Sequence, residues 1–166
     1  MAVVATRQFP SGRVVVIGRP TRVLPYRTTH SFQVDWETHV DLGEPARYIN
    51  HSCEPNTGIR DNDYGGFDFI TLRKIVRNEE ITWDYETSEY LSIAVARCLC
   101  GTASCRKVIR GFRERRTDPH WQPTHVANYL RGEVTAHIPA VTPRIVSTSV
   151  ASGPVTGRCQ GDADRQ

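Results

Sequence analysis

The chain has 166 residues, 39% of them hydrophobic and 23% charged, which suits one globular domain with a modest core and a tail. No apolar run approaches the ~20 residues a membrane span needs. Residues 1–10 lack an apolar stretch ending in a cleavage site, so neither a membrane partner nor a secretory signal is expected. The net charge of +3, carried almost wholly by arginine because Lys74 and Lys107 are the only lysines, is too mild to demand nucleic acid.

Residues 13–17 are rich in β-branched side chains and read as a strand, and Phe32, Val34 and Trp36 alternate with polar neighbours as a half-buried strand does. Pro45 breaks the chain before Arg47, and residues 51–63 are rich in turn formers. The apolar run over residues 67–76 reads as a buried strand. A tight turn follows, with Asn78 suited to the left-handed conformation, and residues 81–85 form another short strand. Residues 98–105 make a compact loop, and residues 121–130 read as a short helix with Pro123 in its first turn and Gly132 past its end. Beyond Gly132 the periodicity fades, so residues 133–166 are expected to be a flexible, dispensable tail. Short strands with many turns indicate a mainly β domain.

Five cysteines in a chain with no export signal point to a reducing, intracellular compartment, where clustered thiols bind metal more often than they pair. Cys98, Cys100 and Cys105 give the spacing C-x-C-x4-C, and a structural zinc prefers a tetrahedron of ligands. Cys53, set in a dense turn, is taken as the fourth ligand over Cys159 in the tail. Unrelated core thiols or an iron–sulfur cluster are the competing readings. A closed set of thiolates leaves no position for a catalytic zinc.

Two further segments are ambiguous alone. Asn50-His51-Ser52-Cys53 is an ordinary polar turn or a ligand contact, and Tyr85 at a strand end is packing or a polar handle. Their order changes the reading. N-H-S-C-x-P-N, then E-E-I-x-W-D-Y, then C-x-C-G-x3-C resembles the C-terminal half of the SET domain with its post-SET zinc loop, over roughly residues 12–112.

That resemblance implies a mainly β, β-clip-like SET fold with a pseudoknot, a small post-SET zinc loop and a short C-terminal helix. It divides the chain into a SET domain over residues 1–97, a zinc loop over 98–112, a helical extension over 113–132 and the tail. The implied activity is protein-lysine methylation, with S-adenosylmethionine and zinc as cofactors and a lysine-containing protein or peptide as partner; direct nucleic-acid binding is not expected. By position Tyr85 matches the family's catalytic tyrosine, and Asn50 and His51 its cofactor-holding pair, flanked by Arg47 and Tyr48. Leu99 matches a residue that covers the cofactor, and Cys53, Cys98, Cys100 and Cys105 match the zinc ligands. Trp83 stands where the family carries a smaller aromatic residue, and either narrows the lysine channel or faces the core. The family's Gly-x-Gly cofactor segment has no full counterpart near Ala2, which leaves a catalytically inactive binding module with zinc and a peptide groove as the alternative.

Overall fold

The computed structural model describes residues 1–132; the proposed tail and Cys159 lie outside them. Strands dominate. β1 (Val14–Gly18), β7 (Phe67–Thr71) and β6 (Thr57–Asp61) form one antiparallel sheet with β7 central, and β2 (Pro20–Leu24), β4 (Thr38–Leu42) and β3 (Phe32–Asp35) form a second. β5 (Asn50–His51) and β8 (Thr82–Trp83) form a two-residue parallel pair. The helices are two single turns, α1 (Phe112–Arg115) and α2 (Asn128–Arg131).

β7 is a near-continuous apolar run because neighbours on both edges leave it little solvent, and Phe67 and Phe69 are fully buried. The strand stops at Thr71, short of the expected residue 76. Thr71 Oγ1 donates to Pro10 O and accepts from Arg13 N, tying this point to the N-terminal segment, and residues 72–74 are exposed. The N-terminal segment then pairs along the continuing chain, through bridges Phe9–Ile75 and Val4–Glu80. Asn78 makes the intervening turn with φ of 68°, as expected. Trp36 falls beyond β3, where Gln33 Nε2 donates to the Asp35 and Trp36 carbonyls and the chain reverses.

The helix expected over residues 121–130 shrinks to α2. The preceding residues are irregular, and the backbone donors where α2 begins bond elsewhere: Ala127 N donates to Thr87 O, and Asn128 N to Asp61 Oδ2. Gly58 permits this packing, since a Cβ there would lie 2.6 Å from His125 Cβ. The segment delivers Val126, Ala127 and Leu130 into the core with Leu42, Ile49, Ile59 and Trp83.

Candidate functional site

The parallel pair of β5 and β8 creates the site. It sets Asn50 beside Thr82 and His51 beside Trp83, segments some thirty positions apart in the chain, and Ser52 N donates to Trp83 O. Asp84 accepts from Glu86 N and starts a 3-10 turn over Tyr85–Thr87. Tyr85 N donates to His51 Nδ1 at 3.2 Å, and its hydroxyl donates to Ile49 O at 3.0 Å. Asn50 Nδ2 donates to Met1 O at 3.0 Å and to Glu80 Oε1 at 2.7 Å, tying the N-terminal main chain to the same rim. A cleft of about 810 Å³ opens here. Arg47, Tyr48, Asn50, His51, Tyr85 and Leu99 all line it, with Met1 at the edge. Leu99 is 80% exposed, an apolar side chain free to fold over whatever the cleft holds.

Burial outweighs the nearby Asp84 charge and pushes His51 down to about 4, so the ring is neutral near pH 7. With Nδ1 accepting from Tyr85, its proton sits on Nε2, which faces Cys53 Sγ at 3.4 Å. Burial pushes the Tyr85 hydroxyl up to about 12, helped by the negative charge of Glu89. Tyr85 is therefore a protonated hydroxyl at neutral pH, suited to orienting a ligand rather than removing its proton.

A second, smaller cavity of about 30 Å³ adjoins the cleft; Thr29, His30, Arg47, Tyr85 and Ala94 line both, and Phe32, Trp83 and Glu89 line only the smaller one. Trp83 faces the core and also forms a wall of this cavity. It is 2% exposed, stacks on Phe32 with centroids 5.7 Å apart, and meets the Tyr85 ring at 4.9 Å.

The cysteine loop lies against the other side of His51. The sulfurs of Cys53, Cys98, Cys100 and Cys105 all lie within 4.8 Å of one another, and Cys53 and Cys98 are 3.8 Å apart. Tetrahedral bonds of ~2.3 Å to sulfur set ligand atoms roughly 3.8 Å apart, so the cluster has the dimensions of a zinc–thiolate centre. Gly101, with φ of 74°, turns the chain between the second and third cysteines of the loop.

Residues 1–86 of the 166 match the family profile of the SET domain. The chain belongs to the SET-domain family. Among its relatives are a "Histone-lysine N-methyltransferase, H3 lysine-4 specific" of Chaetomium globosum, 40% identical over 86 residues, covering 48% of this chain and 8% of the relative. "Histone-lysine N-methyltransferase ash1" of Drosophila melanogaster is 36% identical over 77 residues, covering 45% of this chain and 4% of that protein. This SET domain therefore spans less than a tenth of the length of either relative. Among solved structures, KRYPTONITE in complex with mCHG DNA and SAH aligns with a TM-score of 0.53 and 28% identity, over 65% of this chain and 26% of that one. The mainly β SET fold is thereby shown from sequence and from architecture alike.

Sequence reasoning missed the groups that join the cysteine loop of this SET domain to its cleft. Asp84, one residue before Tyr85, is 5% exposed and accepts from Arg106 Nη1 at 2.8 Å and from Trp121 Nε1 at 3.0 Å. Arg106 Nε stands 3.2 Å from Glu86 Oε2, and the Arg106 main-chain N–H donates to Cys53 Sγ. Arg106 thus touches the thiol cluster and the base of the Tyr85 turn together. The only advance signal was an arginine directly after the last loop cysteine, which composition cannot tell from a surface charge. Arg106→Met is expected to cost about 3–5 kcal/mol, because it strands the buried Asp84 carboxylate without its arginine and leaves Glu86 only the more distant Arg115, 3.8 Å away. Urea unfolding in zinc-containing buffer measures it; a loss under about 1 kcal/mol would mean that the carboxylates find other partners.

Proposed function

We propose that this SET domain is a protein-lysine N-methyltransferase that uses S-adenosylmethionine, with zinc held structurally by Cys53, Cys98, Cys100 and Cys105. The observation that carries the reading is the junction at Tyr85: a ligand-sized cleft on one side, a small cavity walled by Phe32, Trp83 and Glu89 on the other, and Tyr85, with its protonated hydroxyl, lining both. A cleft of about 810 Å³ falls within the ~300–1,000 Å³ usual for small-molecule sites. Its lining suits S-adenosylmethionine, since Asn50 and the Met1 main chain offer polar groups for the amino-acid part and Leu99 and Tyr48 apolar surface for the purine.

When bound, S-adenosylmethionine supplies an activated methyl group. The protein's own part is alignment. Lysine in water has a pKa near ~10.4 and is protonated. The walls of Phe32 and Trp83 would strip water from the amine and lower that value. Tyr85, held by Ile49 O and braced by His51, would orient the nitrogen toward the cleft. Zinc would fix the loop that carries Leu99. In this reading residues 1–97 are the catalytic unit, 98–112 the zinc loop, and 113–132 an extension whose Val126, Ala127 and Leu130 complete the core.

The proposed partner is a lysine-containing protein. The H3 lysine-4 specificity of the Chaetomium globosum relative makes a histone H3 peptide the first to try, and a histone substrate would put the protein in the nucleus. The test is calorimetric titration with S-adenosylmethionine followed by mass spectrometry of H3 peptides after incubation. Micromolar cofactor binding and a mass gain of one methyl unit or more on lysine are expected. A folded, zinc-loaded protein that binds no cofactor would refute the reading and favour a binding module.

A further inference from the structure

His51 is bonded through Nδ1 to Tyr85 N, faces Cys53 Sγ through Nε2 and does not line the small cavity, and the Tyr85 hydroxyl donates to Ile49 O, so neither is placed to receive the proton that a target lysine must lose. Of the other groups lining the small cavity, His30 is exposed at its mouth with Nδ1 against Thr29 Oγ1, and Glu89 is the carboxylate among the rings. Glu89 lies one turn beyond Tyr85, its N–H donating to Tyr85 O, and it lines the cavity between Phe32, Trp83 and Tyr85. It is only 8% exposed. A carboxylate among aromatic rings is costly to bury, and no core-packing need is met by it. The cavity of about 30 Å³ has room for an amine head or one bridging water, since ~10–15 Å³ holds a water.

We infer that Glu89 is the proton acceptor of the proposed lysine methylation, taking a proton from the target ammonium across this cavity. The inference rests on the functional reading above. The lysine N–H bond breaks, its electron pair stays on nitrogen, and the proton passes to a Glu89 oxygen. The freed pair then forms the new N–C bond while the methyl–sulfur bond breaks with its electrons going to sulfur. Glu89 finally returns its proton to solvent.

The surroundings suit that duty. Burial raises the Glu89 carboxyl to about 7, while the Ser92 hydroxyl and the Arg27 charge restrain the shift. Tyr85 and Tyr129, both protonated, are the titratable groups that feel its charge, and Arg47 and His30 stand exposed where the cavity meets the cleft. An acceptor near 7 is half-ionised at working pH and can release what it takes.

The test compares the parent protein with E89Q, which keeps the shape and removes the base. In the parent, kcat should rise with pH through an inflection near 7. In E89Q it should fall about 100-fold at pH 8, lose that inflection, and recover only as pH approaches the lysine's own ionisation. Two readouts do not depend on turnover. Calorimetry of a lysine peptide with S-adenosylhomocysteine present, in two buffers of different ionisation enthalpy at pH 6, should show release of most of one proton for the parent, whose protonated Glu89 must ionise to pair with the incoming ammonium, and none for E89Q. Folding stability should change as well. The raised folded pKa means that Glu89's contribution is fully present below its ordinary 4.5 and lost as pH rises through about 7, so E89Q should flatten that decline. An E89Q profile that keeps the parent's inflection, or a uniform loss at every pH, would overturn the assignment. A parent protein that binds S-adenosylhomocysteine but no lysine peptide would instead defeat the functional reading and this inference with it.

Discussion

Cys105→Ser is expected to empty the thiol centre and, with it, to dismantle one wall of the cleft. Three remaining thiols leave an open position and a much weaker site. A structural zinc contributes roughly 10–16 kcal/mol in zinc-finger peptides, as large as the ~5–15 kcal/mol total stability of a typical domain. The loss should not stay local. Cys98, Leu99 and Cys100 line the cleft directly, and Arg106 passes from Cys53 Sγ to Asp84 at the foot of Tyr85. Zinc content by mass spectrometry should fall from one per chain to near zero, and S-adenosylmethionine affinity should drop at least tenfold. The β1-β7-β6 sheet carries none of the four cysteines and should keep its circular dichroism. Full zinc occupancy in the variant, or unchanged cofactor affinity after zinc loss, would show that the loop is independent of the cleft.

The gathering of the four thiols was legible in the sequence because C-x-C-x4-C is a local pattern, and Cys53 because it sits inside a motif of polar turn residues. That Asn50, His51 and Tyr85 share one cleft followed from the order of those motifs. What brings them together did not. The parallel pairing of Asn50–His51 with Thr82–Trp83 is a contact between two-residue strands, too short to leave any periodicity. β2 escaped notice because its middle residues, including a 67% exposed Val23, have no buried alternation. β4 did carry alternation, with Val40 and Leu42 buried and Asp41 between them, but its polar start masked it. β6 was hidden by Gly58, a residue that strands usually avoid and that here admits His125. The expected helix over residues 121–130 failed for a related reason. Its backbone donors found partners in Thr87 and Asp61, and tertiary bonds overrode a weak local preference.

Tyr85→Phe should keep the fold, keep cofactor binding and lose turnover by two orders of magnitude or more. The hydroxyl donates to Ile49 O, and the ring stays where it is, edge-on to His51 at 5.2 Å and tilted on Trp83. Ile49 is 1% exposed in the core, so its carbonyl loses a partner at an expected cost of about 1–3 kcal/mol, which the domain should survive. Asn50, Arg47 and Leu99 are untouched, so S-adenosylmethionine titration should change by less than about threefold. Turnover is different, because only the hydroxyl can hold the target nitrogen at the junction of cleft and cavity, and one misplaced polar group at a reacting centre costs about 10²–10³ in kcat. Trp83→Phe makes the complementary test. Its indole N–H is buried with no hydrogen-bond partner among the described residues, so the smaller ring sheds an unpaired donor as well as bulk. Activity should persist, and the enlarged cavity should shift products toward more methyl groups per lysine, read by mass spectrometry of the same peptides. Parent-like turnover by Tyr85→Phe would remove its orienting role. Unchanged product distribution in Trp83→Phe would mean that the indole serves the core alone, through its stacking on Phe32 and its edge contact with Phe69.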